Sequence, residues 1–590
     1  MFQILQKLGW FFKLKRKTYG IAVLCLILVA IATAITPMII GNIIDQMTAG
    51  TLTVQNLVIQ IAIIFFLAIL MYGLRYVWRA LVFTNSTHLE AIMRNRLFDH
   101  FTKMDSQFFQ DFRTGDLMAH ATNDLAALKF VAGGGILTLA DSFAVGVTTL
   151  ASMVLFVDWR LTLFTIVPFP FLMLIGRNLG VIINRRYRKA LESFSQMNDH
   201  VQESIAGMRA IKAFGEEDSD FENFSEDIDE VISTNKAVNK VDALYSPAIE
   251  MITQSAFILT LIFGTYYVIS GRITIGDLVA YFSYLSMMTW PLLGLGRLAN
   301  TLERGNVSYA RIIELLSIKS SIKEADKPVD QALGGDIDFD IKSFKYQDSD
   351  DRPALKNVQF HLKAGQTLGL VGKTGSGKST IFKLLMRDYD HYDGQITYDG
   401  IDIRDYATDT LAQGIGYVSQ EPFLFSKSIL DNVRFGAPDT PKEKVDYYTK
   451  LANVYEDILD TPQGFQTQVG EKGVALSGGQ KQRISIARAL TIEPEFLYLD
   501  DSLSAVDANT EHQILQNFKT LRKNQTNIIS AHRISSVIHA DLILVIDDGE
   551  LIDKGSHQEL LERNEWYRSM YEKQQLQLEV EEGGGDHEWR

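Results

Sequence analysis

Residues 367–385 read TLGLVGKTGSGKSTIFKLL. The order of residue types in this stretch decides the fold of the second half of the chain. Thr367 to Val371 is a short apolar run of the kind buried as a strand. It leads directly into Gly372, Lys373, Thr374, Gly375, Ser376, Gly377, Lys378 and Ser379, and a helix starts immediately after, with Thr380 in its first turn. Strand, glycine loop and helix in that order are the context a P-loop requires. The glycines let backbone N–H groups close around phosphate oxygens. Lys378 is placed to reach the β- and γ-phosphates, and Ser379 to ligate Mg²⁺.

Two further stretches narrow the class of nucleotide-binding protein. FLYLDD, Phe496 to Asp501, is an apolar strand ending in acids. Such an end suits a carboxylate that organises Mg²⁺, here Asp500. Between it and the glycine loop lies LSGGQKQR, Leu476 to Arg483. Ser477, Gly478, Gly479 and Gln480 open a helix, which makes a second anion-binding end. One chain needs one phosphate cradle per nucleotide. A second cradle implies that two such domains meet head to tail, each lending its Ser-Gly-Gly end to the other's nucleotide.

The first half of the chain is of another kind. The 590 residues are 47% hydrophobic, yet mean hydropathy is only +0.03. A lipid-embedded half joined to a charged α/β half gives that average. A bilayer core of roughly 30 Å takes about 20 apolar residues of helix. Six candidate runs appear: Gly20–Ile40, Leu57–Leu74, Val131–Val157, Leu161–Gly176, Met251–Ile269 and Leu278–Gly296. The fourth is short and contains Pro168 and Pro170, which weaken a helix interior. Lys and Arg concentrate in the N-terminal segment and in the connections Arg75–Phe130 and Arg177–Glu250. By the positive-inside rule these segments and both termini are cytoplasmic, in a multi-pass membrane protein. The two long connections read as membrane helices continued beyond the bilayer, turning near Thr114-Gly115-Asp116 and near Gly215-Glu216-Glu217-Asp218. The opening segment, residues 1–18, reads as an amphipathic helix on the membrane surface rather than a cleaved signal.

Other features exclude partners rather than name them. A net charge of −14 without a dense basic stripe argues against nucleic acid. The single cysteine, Cys25, allows no intrachain disulfide. Asp141 and Glu250 lie in or beside apolar runs and are candidates to attract a cationic substrate. Pairing with Arg75, Arg79 or Arg177 is the alternative. The expected division is residues 1–18 as interfacial helix, 19–316 as membrane domain, 317–330 as polar linker, 331–576 as nucleotide-binding domain and 577–590 as flexible tail.

On these motifs the chain resembles an ABC transporter half of the exporter type, and the resemblance spans nearly all of it. It implies an α-helical membrane domain of six long helices, domain-swapped with a partner, plus an α/β P-loop nucleotide-binding domain using ATP and Mg²⁺. It further implies that Tyr346, in SFKY, stacks on adenine. Gln420, in YVSQEPFLF, would contact Mg²⁺ together with Ser379 and Asp500. Thr467–Gly473 would touch the cytoplasmic struts, and Ser504–Asp507 would couple two ATP sites. His532, in SAHR, would contact the γ-phosphate, and the turns near Thr114 and Gly215 would be coupling helices.

One position departs from the family pattern. The residue after the Walker B aspartate is usually glutamate, which polarises the attacking water, and here it is Asp501. Its carboxylate sits about 1.5 Å further back, and misplacement of about 1 Å can cost on the order of a hundredfold in rate. The intact LSGGQ and weak base resemble one subunit of the heterodimeric bacterial multidrug exporters. The implied partner is a second half-transporter with a catalytic glutamate and a degenerate signature. The implied cargo is a hydrophobic or amphipathic small molecule taken from the cytoplasm or inner leaflet. Alternatives are a homodimer with two slow sites, a lipid or peptide exporter, and a regulatory protein that ATP gates.

Overall fold

The computed structural model describes residues 3–346, 352–470, 475–522 and 524–583. The chain forms two compact units. The first comprises Met1–Lys103 and Phe112–Ile318, and the second Met104–Asp111 and Lys319–Arg590.

Among the described residues, the regular elements of the first unit are all helices. Among the described residues, five helices are long and apolar enough to cross a membrane: Arg16–Thr48, Val54–Phe101, Thr114–Val157, Glu217–Ile269 and Ile275–Ser317. The fourth apolar run behaves differently. It is split between a short helix, Trp159–Thr165, and a long one, Phe169–Phe214, with Pro168 and Pro170 at the junction. Proline lacks the N–H an interior turn needs but is tolerated in a first turn, so the break falls there.

Several termini follow from local chemistry. Thr53 caps Val54–Phe101 by accepting the Asn56 N–H. Thr274 and Asp277 form a reciprocal capping box at the start of Ile275–Ser317. Gly41 and Gly276 mark a close crossing of two helices, where a Cβ on Gly276 would lie 2.1 Å from the Gly41 carbonyl oxygen. The same crossing is latched by Asp45, whose carboxylate accepts the Gly276 N–H at 2.8 Å and the Thr274 hydroxyl at 2.6 Å.

The turn expected near Gly215 is present: Gly215 adopts φ +71° between Phe169–Phe214 and Glu217–Ile269. The other turn lies earlier than expected. Val54–Phe101 ends before it, a short helix Ser106–Asp111 forms within it, and Thr114 already opens the next helix. The opening segment is also reorganised. It forms two short helices, Gln3–Lys7 and Gly9–Leu14, and the crossing helix begins at Arg16. Ile4, Leu8 and Phe11 are fully buried inside this unit, while Leu14 is exposed, so part of its apolar surface packs on protein. Asp141 has Arg75 and Arg79 as charged neighbours, and Glu250 is exposed.

The second unit is built on a ten-stranded sheet: β1 Ile337–Phe344, β2 Leu355–Leu362, β3 Thr367–Gly372, β4 Asp393–Tyr398, β5 Ile401–Asp402, β6 Ile415–Val418, β7 Phe496–Asp500, β8 Thr526–Ser530, β9 Leu542–Asp547 and β10 Glu550–Gly555. Their order is β5-β4-β1-β2-β10-β9-β3-β8-β7-β6. From β9 to β6 all neighbours run parallel, whereas β1, β2, β4 and β5 pair antiparallel. β7 is buried at every position, as a parallel strand covered on both faces must be.

The short helix Ser106–Asp111 belongs to this unit and docks on it. Phe108 is buried, Ser106 donates to Asp388 at 3.2 Å and Tyr389 donates to Gln110 at 3.1 Å. Asp105 accepts hydrogen bonds from Ser320 and Ser321. At the other end of the chain, the last helix runs from Glu565 to Gly583. The expected tail therefore starts as helix, and residues 584–590 lie outside the described residues.

Candidate functional site

Parallel strands deliver their functional residues to one edge, the one at their C-terminal ends, where α/β sheets bind ligands. β3 ends at Gly372 and gives way to the glycine loop. β7 ends at Asp500 and β8 at Ser530, and these two are register partners. β6 ends at Val418, two residues before Gln420. The result is a cleft of about 240 Å³ lined by Tyr346, Ala354, Thr374 to Thr380, Gln420, Asp500, Asp501, Ser530 and His532.

The glycine loop is shaped for an anion. Gly375 and Gly377 adopt φ +80° and +103°, a region side chains rarely occupy. A Cβ on Gly377 would lie 2.8 Å from Leu355 and 3.0 Å from the Ala354 carbonyl. The Lys378 ammonium folds back to donate to the carbonyls of Gly372 and Lys373 at 3.0 and 2.9 Å. Burial pushes this ammonium below its ordinary value, and the charges of Asp501 and Asp500 oppose that. The buried Ser376 hydroxyl has no hydrogen-bond partner, an orphan in the position where a phosphate oxygen would satisfy it. Lys373 turns outward instead, to Asp547 at 3.0 Å, and only its main chain serves the loop.

Oxygen donors gather beside the loop. Asp500 is buried and hydrogen-bonded by Ser379 and Ser530. Burial raises its carboxyl above the ordinary range, the Ser379 bond opposes this and the Asp501 charge adds to it. Tyr417 reaches Asp500 at 3.5 Å. Ser379, Asp500 and Gln420 thus line one cleft with hard oxygen donors, a set that fits Mg²⁺.

Asp501 sits at φ +46°, a conformation aspartate tolerates better than most residues. Its Oδ2 lies 3.4 Å from the Gln420 amide nitrogen and 3.8 Å from His532 Nε2. Gln420, Asp501 and His532 are therefore brought together. Tyr346 stands at the cleft wall, its hydroxyl 3.0 Å from Thr380 and its ring 5.0 Å from Phe344 and 5.4 Å from Tyr389.

The LSGGQ residues are not among those lining this cleft. Ser477 and Gly478 are exposed at the start of helix Gly478–Thr491. Gln480 is engaged locally, closing a capping box with Ser477 and donating to Asp457 at 3.2 Å. A Cβ on Gly479 would lie 2.8 Å from the Ala505 carbonyl oxygen, and the Ala505 N–H bonds Gln482 at 3.1 Å. The segment Ser504–Asp507 is thus packed against the signature helix. Of the expected strut-contacting loop, Thr467–Gly470 is described and residues 471–473 lie outside the described residues.

Sequence reading missed Ser530 and Tyr417 as partners of Asp500, and Asp457 as the anchor of Gln480. Tyr417 was within a quoted motif, and only the register of β6 beside β7 gives it a role.

Comparison with known proteins bears on the family of the chain. Residues 19–292 match the ABC transporter transmembrane region, and residues 355–504 match the ABC transporter family model. The "Probable multidrug resistance ABC transporter ATP-binding/permease protein YheI" of Bacillus subtilis is 42% identical over 99% of this chain and 100% of its own. The "Multidrug resistance-like ATP-binding protein MdlA" of Escherichia coli is 38% identical over 99% of both. The solved structure of a bacterial Atm1-family ABC exporter with ATP bound superposes with a TM-score of 0.78 at 26% identity, over 95% of this chain and 99% of that one. The chain belongs to the ABC transporter family, as an ATP-hydrolysing exporter-type member that joins the transmembrane region and the ATP-binding domain in one polypeptide.

Proposed function

We propose that this chain is one subunit of a heterodimeric exporter that moves amphipathic compounds out of the cytoplasm or inner leaflet. The observation that carries the reading is the pairing of Asp501 with an intact, exposed Ser477–Gly478 end. Tyr346 receives adenine, the loop Gly372–Thr380 holds the phosphates, and Ser379, Gln420 and Asp500 hold Mg²⁺. When bound, Mg²⁺ neutralises charge on the phosphates. Asp501 is too short to orient water well, so this site binds ATP and cleaves it slowly. Ser477, Gly478 and Gly479 complete the partner's site, where a glutamate performs hydrolysis. Closure of the two domains around ATP shifts a two-state membrane unit from inward to outward.

The names of the relatives support multidrug cargo. The test is purification of the chain alone and together with a second half-transporter that carries glutamate at the position of Asp501, sought first in an adjacent gene. The unlike pair is expected to assemble stably and to account for nearly all ATPase activity. Brisk turnover by the chain alone would favour the homodimer instead.

A further inference from the structure

The last helix of the chain is tied to the loop that carries His532. Its inner face is firmly anchored: Tyr567 is fully buried and its hydroxyl meets His557 Nδ1 at 2.8 Å. Trp566, Met570 and Tyr571 pack against the same core. Residues 567, 571 and 574 share one face at helical spacing, so the face that anchors the helix also carries Gln574.

The Gln574 carboxamide makes two bonds to main chain. Its Oε1 accepts the Ile534 N–H at 2.8 Å, and its Nε2 donates to the His532 carbonyl at 2.9 Å. These are the peptide groups on either side of Arg533, paired as a neighbouring strand would pair them. From the opposite side, the Arg533 guanidinium bonds Glu511 at 3.1 Å and the Val506 carbonyl at 3.2 Å. The His532 imidazole itself is partly exposed, with Nε2 3.8 Å from Asp501. Its direction is inherited from a main chain that Gln574 holds.

We propose that Gln574 is a positioning residue for His532, setting the imidazole where it meets the γ-phosphate of ATP in this chain's own cleft. The proposal rests on the reading of His532 as a γ-phosphate contact. The amide is specifically required, because the site asks for one acceptor and one donor. Glutamate would keep the acceptor but set a carboxylate oxygen against the His532 carbonyl. Leucine would supply neither.

Only ATP carries a γ-phosphate, so the ratio of ATP to ADP affinity isolates this contact from general damage to the domain. The experiment measures both affinities for the full chain in lipid nanodiscs with Mg²⁺. Gln574→Leu and Gln574→Glu are each expected to weaken ATP on the order of tenfold, leaving ADP unchanged. In a His532→Ala background neither is expected to add a further loss. Equal weakening of ATP and ADP, no change in ATP affinity, or a loss that adds to that of His532→Ala would each overturn the proposal. If His532→Ala alone leaves the ratio unchanged, the underlying reading of His532 falls with it. If His532→Ala lowers the ratio and the Gln574 variants do not, only the role of Gln574 falls.

Discussion

At the scale of single residues, the proposed slow site turns on a methylene. Asp501 occupies a left-handed backbone position with its carboxylate near Gln420 and His532, one methylene shorter than glutamate. In a complex whose partner glutamate has been neutralised, Asp501→Glu is expected to raise steady-state ATPase by about ten- to a hundredfold. Phosphate release reports this directly, and an unchanged rate would mean that something other than carboxylate reach limits the site. Gly377→Ala makes the complementary case for binding. A Cβ there meets Leu355 and Ala354 at a φ of +103°, so ATP affinity should fall by at least tenfold, measured by titration with a fluorescent analogue. Most of these residues were legible in the sequence because the P-loop, Walker B and signature patterns are local. Gln574, Asp457 and Ser530 were not, since each acts through a contact that only the folded sheet and helices create.

At the scale of elements, two helical turns carry the interest. The segment Ser106–Asp111 docks on the ATP-binding unit through buried Phe108 and through Ser106 and Gln110. Phe108→Ala removes roughly 3–5 kcal/mol of buried contact. ATP-dependent dye uptake into inverted vesicles should fall severalfold while ATP binding persists; equal transport would show that the docking is dispensable. The hairpin of Phe169–Phe214 and Glu217–Ile269 is held by His200, which bridges Asp227 at 2.5 Å and Asp220 at 3.2 Å. These carboxylates, Asp227 foremost, raise the His200 pKa above its ordinary 6.5. A raised pKa means that the clasp is complete below about pH 6.5 and is lost as pH climbs through the higher folded value. Hydrogen exchange across residues 195–230, corrected for intrinsic rates, should show protection declining with rising pH, and His200→Gln should flatten that dependence. The sequence located the Gly215 turn through its glycine and acid run. It misplaced the other turn because Thr-Gly-Asp reads equally as a turn or as the first turn of a helix. In the opening segment, an amphipathic face looks the same whether lipid or protein covers it.

At the scale of the whole molecule, each unit is legible from composition. Long apolar helices and a P-loop sheet were both expected and both are present. The divided fourth run was foreshadowed by Pro168 and Pro170. The proposed asymmetry between subunits cannot be read from composition, because it depends on a chain other than this one. The exporter reading expects accumulation of an amphipathic dye against its gradient in vesicles holding the pair, whereas an ATP-gated pathway would only equalise it. The decisive measurement is a single-turnover count of ADP formed per complex after rapid mixing with Mg²⁺ and ATP. One ADP should form quickly at the site completed by Ser477 and Gly478, with the second ATP retained beside Asp501. Two ADP formed at equal rates would contradict the asymmetric mechanism.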